Sequence, residues 1–204
     1  MTSETTSRRG RRAAATREDV LGRALHHYLR GRRVDVQALA SELGVGRTTI
    51  YRWFGSREGL LGEILFHASE PLLDAARAAA EGSGGPALLD TFDRFNRGLA
   101  GSRALGQFVE RERDAALRVI TSGAGYLQPH MVRRIAGLIQ DEVDAGRYHP
   151  PVDPETLGYA IVRLAEAFLF NDAAAGMRGD VDRLREVEAA ILGVPAERRS
   201  SAAA

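Results

Sequence analysis

The chain has 204 residues, of which 44% are hydrophobic and 27% are charged, so it is long enough for one large domain or for a small one joined to a larger one. The absence of cysteine excludes disulfides, cysteine-based zinc sites and cysteine nucleophiles. No apolar run approaches the roughly 18 residues of a membrane span, and none follows the N-terminal arginines, so we expect a cytoplasmic protein without a secretory signal.

The formal net charge of +1 conceals a division along the chain. Residues 1–60 contain 12 Arg and 6 acidic residues, whereas residues 61–204 contain 16 Arg and 21 acidic residues. A basic first part followed by an acidic remainder predicts that only the first part meets a polyanion.

The first residues differ from the rest in composition. Residues 1–15 are rich in Ser, Thr, Arg and Ala and have no hydrophobic periodicity, which predicts a disordered basic arm. Two uses of its arginines remain open: a solubilising tail, or an arm that contacts DNA through the minor groove. Residues 196–204 are predicted to form a disordered tail.

Helical spacing of apolar residues, with a polar cap before a run and a glycine after it, predicts helices in the first part of the chain. Thr16, with Asp19 three residues later, resembles a capping box, and Ser56 caps a fourth helix. Pro71 lacks the N–H that a helix interior needs, so we expect it to kink or end that fourth helix. The first three predicted helices cover 16–30, 35–43 and 47–54.

The segment 81–86, Glu-Gly-Ser-Gly-Gly-Pro, predicts a break, and the chain beyond it shows helical periodicity without a competing strand pattern. The predicted fold class is all-α, with a three-helix domain over 16–60 and a larger helical domain over 61–195. Asp153-Pro154-Glu155 supplies an N-cap, an N1 proline and an acidic first turn. The helices predicted after the break cover 87–100, 103–118, 129–146, 154–171 and 181–192.

Residues 36–55 have the pattern of a helix-turn-helix. A small residue, Ala40, stands where two helices would cross, and Gly44 stands at the turn, where the left-handed conformation costs other residues most. The second helix of the pair then lies across the first and can enter the major groove. The apolar residues that lock the pair together are Leu39, Leu43, Val45, Ile50 and Trp53.

The exposed face of this second helix carries side chains suited to DNA. Its first turn contains an arginine that can pair with guanine and two threonines whose methyl groups suit thymine. Its second turn can approach phosphates or packed neighbours, and the start of the next helix offers amides, a serine hydroxyl and an arginine to a phosphate. The predicted DNA-binding residues are Gly46, Arg47, Thr48, Thr49, Tyr51, Arg52, Trp53, Ser56 and Arg57.

The run from Val36 to Leu61 resembles the DNA-binding domain of the TetR family of transcription factors. Two positions depart from the family pattern: Gly46 stands where a serine cap is common, and Arg57 where lysine is often found. The resemblance spans about residues 16–65 and implies a repressor that leaves a palindromic operator when a small molecule binds. It is carried by Leu39-Ala40, Gly44-Val45, Tyr51-x-x-Phe54, Ser56-Arg57-Glu58 and Leu60.

The second part of the chain is similar to the QsdR-type subgroup of that family in the segments 116–122, 128–129 and 159–172. The resemblance implies a ligand cavity among the helices after residue 60 and a homodimer formed by the last two long helices. It also suggests a lactone-like effector, and it implies no cofactor. The segment 155–171 agrees with a buried interface, because it is apolar on more than one side.

Polar residues set within apolar helices are the candidate effector contacts. Arg163 and Glu166 lie three residues apart in the most apolar helix, so they are neighbours on its surface and either form a salt bridge or meet a ligand. The predicted effector-binding residues are His67, Asn96, Arg118, Tyr126, Arg163 and Glu166.

Two other functions remain open: a helical enzyme that binds a metal or a small molecule, and a helix-turn-helix used only for protein contacts. His67-x-x-Glu70 has a spacing at which a metal can bind, but the 5 histidines form no HExxH pattern. No P-loop or nucleophile elbow is present, so we expect no catalysis and no metal. The basic first part argues against protein contacts alone.

Overall fold

The computed structural model describes residues 15–170 and 180–195, and every regular element within these ranges is an α-helix. The predicted all-α fold class is therefore confirmed. The predicted tail, 196–204, and all but the last residue of the predicted arm, 1–15, lie outside the described residues. The helices are α1 (Arg17–Leu29), α2 (Val36–Leu43), α3 (Arg47–Phe54), α4 (Arg57–Ala79), α5 (Gly84–Ala100), α6 (Arg103–Arg111), α7 (Arg113–Thr121), α8 (Leu127–Asp144), α9 (Pro154–Phe170) and α10 (Val181–Leu192).

Side-chain caps set the starts of the first helices, as the sequence predicts. The Thr16 hydroxyl accepts a hydrogen bond from the Asp19 amide at 3.2 Å, and the Thr16 amide donates to the Asp19 carboxylate at 2.8 Å. The Asp35 carboxylate accepts from the Ala38 amide at 2.8 Å. These bonds satisfy amides that the first turn of a helix leaves without a backbone partner.

Helix α4 continues through its proline, so the expectation that Pro71 could end this helix is wrong. The missing N–H removes one backbone hydrogen bond, at a cost of about 3 kcal/mol. The turns that follow are held by burial, because Leu73 and Ala76 pack into a core with α5. Tertiary packing here outweighs the local preference of the sequence.

Helix α5 begins at Gly84, so the break predicted over 81–86 is shorter than expected. Pro86 lies in the first turn, where its missing N–H costs no helical bond. Gly84 has φ +65°, and a Cβ there would meet the carbonyl oxygen of Arg147 at 2.3 Å, so this position requires glycine.

A buried carboxylate fastens this end of the molecule. Glu142 of α8 accepts hydrogen bonds from the Arg147 guanidinium at 2.7 Å and from the Gly84 amide at 2.8 Å, and it pairs with Arg77 of α4. These donors stabilise the charged form, with Arg147 contributing most, and lower the pKa of Glu142 to about 2.

The single helix predicted over 103–118 is two helices that meet at Glu112. The backbone leaves the helical region there, with φ −134° and ψ 45°. The Glu112 carboxylate accepts a hydrogen bond from Arg57 at 2.7 Å, across 55 residues of sequence. Hydrophobic periodicity carries no information about so distant a partner, and the prediction missed the break.

Two apolar cores meet along α4. The first joins α1, α2 and α3 to the first part of α4 and to α6 and α7. The second joins the rest of α4 to α5, α8, α9 and α10. The predicted domain boundary between residues 60 and 61 lies within α4 and remains a prediction. Helix α4 is therefore the structural link between the helix-turn-helix and the rest of the chain.

Candidate DNA-binding surface and effector cavity

Helices α2 and α3 pack across each other around Gly44. This residue has φ +68°, the left-handed conformation that the sequence predicts, and the following Val45 amide donates to the Ala40 carbonyl at 3.0 Å. Leu39 and Ile50 are buried beneath the turn. The packing fixes α3 with one face in the core and the other on the surface of the protein.

The first turn of α3 presents the side chains predicted to read bases. Arg47 and Thr48 are exposed, and Thr49 is half-buried. Gly46 caps the helix with its backbone alone, because its carbonyl accepts from the amides of Thr49 and Ile50 at 2.9 and 3.2 Å. The start of α3 is therefore open to a groove of DNA.

The second turn of α3 divides between surface and core. Tyr51 is 43% exposed and Arg52 is exposed, so both can be approached by phosphates. Trp53 is half-buried and packs against the first core. Two roles were predicted for Trp53, phosphate contact and packing, and the structure shows the packing.

The start of α4 carries the two residues predicted to hold a phosphate. Ser56 is exposed, and its hydroxyl accepts from the Gly59 amide at 3.0 Å, which caps the helix. Arg57 instead points into the molecule: its guanidinium donates to the Val34 carbonyl at 3.0 and 3.1 Å and to Glu112 at 2.7 Å. Arg57 thus joins the loop before α2 to the junction of α6 and α7, and its contact with phosphate remains a prediction.

An apolar cavity lies behind the helix-turn-helix, with walls formed by α1 and by α4 to α9. The empty space of the cavity, counted together with its opening to solvent, is about 830 Å³. The centre of a water molecule can occupy about 100 Å³ of it. Aliphatic and aromatic side chains form most of the wall, which suits a largely apolar ligand. The polar side chains that line it are Tyr28, Ser69, Asn96, Ser102 and Glu166.

Two of the six predicted effector-binding residues line this cavity. Asn96 of α5 and Glu166 of α9 are both buried, and both belong to its wall. Arg163 is not among the lining residues but donates to the Glu166 carboxylate at 2.7 Å, so the predicted salt bridge is present. Arg163 therefore acts on the cavity through its partner.

The other three candidates lie away from the cavity. His67 bonds Glu70 through Nδ1 at 2.9 Å, and Arg118 is exposed, 3.9 Å from Glu58. The Tyr126 ring stacks on His130, with ring centroids 3.7 Å apart. Their roles in effector binding remain predictions that no cavity contact supports.

Burial raises the pKa of two carboxylates, one in the cavity wall and one bonded to a residue of that wall. Desolvation raises the pKa of Glu166 to about 7, although Arg163 opposes this shift. Glu188 of α10 accepts a hydrogen bond from the Asn96 amide at 2.9 Å, and burial raises its pKa to about 8. The cavity residue Asn96 is thus bonded to α10, which lies outside the cavity wall.

Sequence reasoning missed Tyr28 and Glu188. Tyr28 was indistinguishable from the apolar residues that define one face of α1. Glu188 carried a usable signal, because it lies four residues from both Leu184 and Leu192 and so shares the buried face of α10. An acidic residue on such a face indicates a buried polar contact.

Within residues 15–170 and 180–195, no group of three or more His, Asp or Glu side chains lies close enough to hold a metal ion. His67 and Glu70 supply two such side chains, which bond each other. None of the helices in those ranges is long and apolar enough to cross a membrane.

Comparisons with known proteins agree with this architecture. A family model described as tetracyclin repressor-like, C-terminal domain, matches residues 83–193, and one described as bacterial regulatory proteins, tetR family, matches residues 30–64. The structure of the R. erythropolis transcriptional repressor QsdR is similar, with a TM-score of 0.83 and 30% identity over 90% of this chain and 97% of that one.

Two further comparisons are less informative. The TetR family regulator PfmR from Thermus thermophilus is 20% identical over 88% of this chain and 99% of that one, with a TM-score of 0.42. The comparison with curated protein sequences gave no match.

Helix α3 is exposed, α4 follows it with a serine cap, and an apolar cavity lies behind both. This architecture is that of a helix-turn-helix transcriptional regulator with a helical C-terminal domain. The chain belongs to the TetR family, whose members are DNA-binding regulators that dimerise and are not enzymes.

Proposed function

We propose that the protein is a homodimeric repressor that binds a palindromic operator through α3 and leaves it when a small, largely apolar molecule enters the cavity. The observation that carries this proposal is the place of the cavity: α4, whose first turn follows α3 directly, also supplies four residues of the cavity wall. A ligand that moves α4 therefore moves the recognition helix.

The surface of α3 supports operator binding. Arg47, Thr48 and Arg52 are exposed on the helix that a helix-turn-helix places in the major groove, within the basic first part of the chain. Because most of the cavity helices belong to the acidic remainder, phosphates are attracted to the end of the molecule that carries α3.

The surfaces of α9 and α10 support the proposal of a dimer. Tyr159 is 51% exposed, and the apolar residues Leu164 and Phe168 of α9 are half-buried at helical spacing. On α10, Val187 and Ile191 are half-buried in the same way. A stripe of partly covered apolar residues on two adjacent helices fits a four-helix interface with a second copy.

The apolar wall and its few polar groups support an effector with a short hydrocarbon chain and one polar end. A lactone has this form, and the likeness of the segments 116–122, 128–129 and 159–172 to the QsdR-type subgroup favours it. We propose a lactone-like effector on these grounds.

The test begins with selection of DNA fragments by the purified protein, followed by mobility shift on the selected duplex. We expect a complex with a palindromic site, and its release by N-hexanoyl homoserine lactone but not by its ring-opened carboxylate at equal concentration. Failure to enrich any sequence would contradict operator binding. Enrichment without release by lactones of six to twelve carbons would contradict the effector class alone.

A further inference from the structure

One residue of the helix-turn-helix domain reaches the cavity. Tyr28 lies in the last turn of α1, is 5% exposed, and is among the residues that line the cavity. Its ring packs edge-on against Phe108 of α6, with ring centroids 6.1 Å apart. The cavity wall therefore includes part of the domain that reads DNA.

The hydroxyl of Tyr28 has no hydrogen-bond partner in the part of the chain that the structure describes. Burial raises the pKa of Tyr28, so the phenol stays protonated at physiological pH and remains a donor. A buried tyrosine hydroxyl usually finds a partner. At a cavity wall, an acceptor on a bound ligand can be that partner.

Glu166 offers the complementary group on α9. Its Oε2 accepts from Arg163 at 2.7 Å, and its side chain lines the cavity. A carboxylate in an apolar wall attracts a donor N–H or O–H and repels an anion. Asn96 adds a second acceptor, because its amide nitrogen is already bonded to Glu188 while its oxygen makes no bond to the described residues.

We propose that the effector is an uncharged, largely apolar molecule that donates a hydrogen bond to Glu166 and accepts one from Tyr28, so that it joins α9 to α1. This inference rests on the proposed function, in which the cavity holds the effector. It adds the class of ligand and makes the DNA-reading domain part of the binding site.

The contact with Tyr28 couples the ligand to the recognition helix α3 through α1. Helices α1 and α3 share one core, in which Ala24 and Ile50 are buried. A ligand that bonds α1 and α9 together fixes the position of that core relative to the cavity. Operator DNA and ligand then each change the affinity for the other by the same factor.

Three probes of equal chain length test the ligand class: octanamide, N,N-dimethyloctanamide and octanoate. Binding is measured by calorimetry at pH 8 with the full chain. Octanamide carries both a donor and an acceptor and should bind most tightly. The dimethyl compound lacks the N–H and should bind about 10-fold or more weakly, since the lost bond is to a charged group. Octanoate should bind least.

Variants assign the two contacts. Tyr28→Phe keeps the ring and should weaken octanamide by about 2- to 12-fold, the effect of one neutral hydrogen bond. Glu166→Gln should narrow the preference for octanamide over octanoate, because it removes the repelling charge. Tyr148→Phe, at a second buried tyrosine whose hydroxyl donates to the Leu192 carbonyl at 2.8 Å and which does not line the cavity, is the matched control and should bind all three probes as the unaltered chain does.

A second measurement separates a ligand contact from a structural role. Saturating the protein with its selected duplex should weaken octanamide binding, and Tyr28→Phe should reduce that weakening. Octanoate binding as tightly as octanamide, no binding by any probe, or equal behaviour of Tyr28→Phe and Tyr148→Phe would each overturn the inference. DNA binding without any probe reports on the proposed function separately, so the two can fail independently.

Discussion

The interior of α1 to α3 and the interior of the cavity-bearing helices are built by different rules. Among the described residues, every buried acidic, amide, Ser or Thr side chain lies after residue 60, and the interior of the first three helices is apolar apart from the hydroxyl of Tyr28. A closely packed, largely apolar core deforms little, which suits a domain that must present the same surface to DNA each time. Polar groups in the second interior make contacts that a ligand can compete for.

The largest effect expected from this difference concerns Glu188. Its pKa is about 8 in the folded protein against an ordinary value of 4.5, so between these values the folded chain holds a proton that the unfolded chain releases. Its contribution to stability is therefore present below about pH 4.5 and lost as the pH rises through 8. Glu188→Gln, which resembles the protonated form, should raise the free energy of unfolding at pH 9 by about 2–4 kcal/mol and change little at pH 4.

Urea unfolding of both chains at pH 4 and pH 9 makes the measurement. Glu110→Gln, an exposed position on α6, is the control and should not change the pH dependence. If Glu188→Gln leaves that dependence as it was, the buried carboxylate is already charged and the two interiors differ less than their buried residues indicate.

The exposed face of α3 should respond to single substitutions through its affinity for DNA rather than through stability. Arg47→Ala is expected to weaken binding to the selected duplex by about 1–3 kcal/mol and to have much less effect on random DNA. Arg103→Ala, an exposed arginine on α6, is the control for loss of charge. Equal losses on both DNAs would assign Arg47 to phosphate contact rather than to base reading.

A double-mutant cycle can measure the coupling free energy of the contact between the two regions. Arg57 and Glu112 form a partly buried ion pair across the boundary, and we expect a coupling free energy of about 0.5–1.5 kcal/mol between Arg57→Met and Glu112→Gln in unfolding. A coupling indistinguishable from zero would mean that the two regions are held together by apolar packing alone.

The smallest effect concerns the cap of α3. Gly46 provides no side-chain hydrogen bond, so Gly46→Ser should stabilise the protein by a few tenths of a kcal/mol, as serine is only slightly better than glycine at this position. Thermal unfolding compares the two, with Gly46→Ala as the control, because alanine has no hydroxyl to cap the helix and should not stabilise it. A decrease in stability for Gly46→Ser would show that the backbone at Gly46 has requirements beyond its extended conformation.

The contrast also explains how much the sequence reveals. Thr16, Asp35 and Gly44 act on residues within five positions of themselves, so the starts of α1 and α2 and the turn before α3 follow from local rules. The continuation of α4 through Pro71 and the break at Glu112 depend on partners far along the chain. No local rule contains those partners, and both features were predicted incorrectly or missed.

The candidate sites divide in the same manner. The residues predicted to bind DNA are nearly consecutive in sequence, so their grouping on one surface could be predicted, although the inward direction of Arg57 could not. The cavity gathers side chains from α1 and from α4 to α9, and only Asn96 and Glu166 stood out as polar residues in apolar helices. Tyr28 had no distinguishing pattern, because a tyrosine at an apolar position of a helix is ordinary in a core.

The position of Tyr28 limits how freely this protein can be recombined. A regulator can be directed to a new promoter by exchanging its DNA-binding domain for that of a relative. In such an exchange the junction is placed after α3. In this chain such an exchange also replaces a part of the cavity wall. Under the proposed function, a hybrid with an α1 from a relative would bind a new operator and would also respond differently to the effector, unless a tyrosine is restored at position 28.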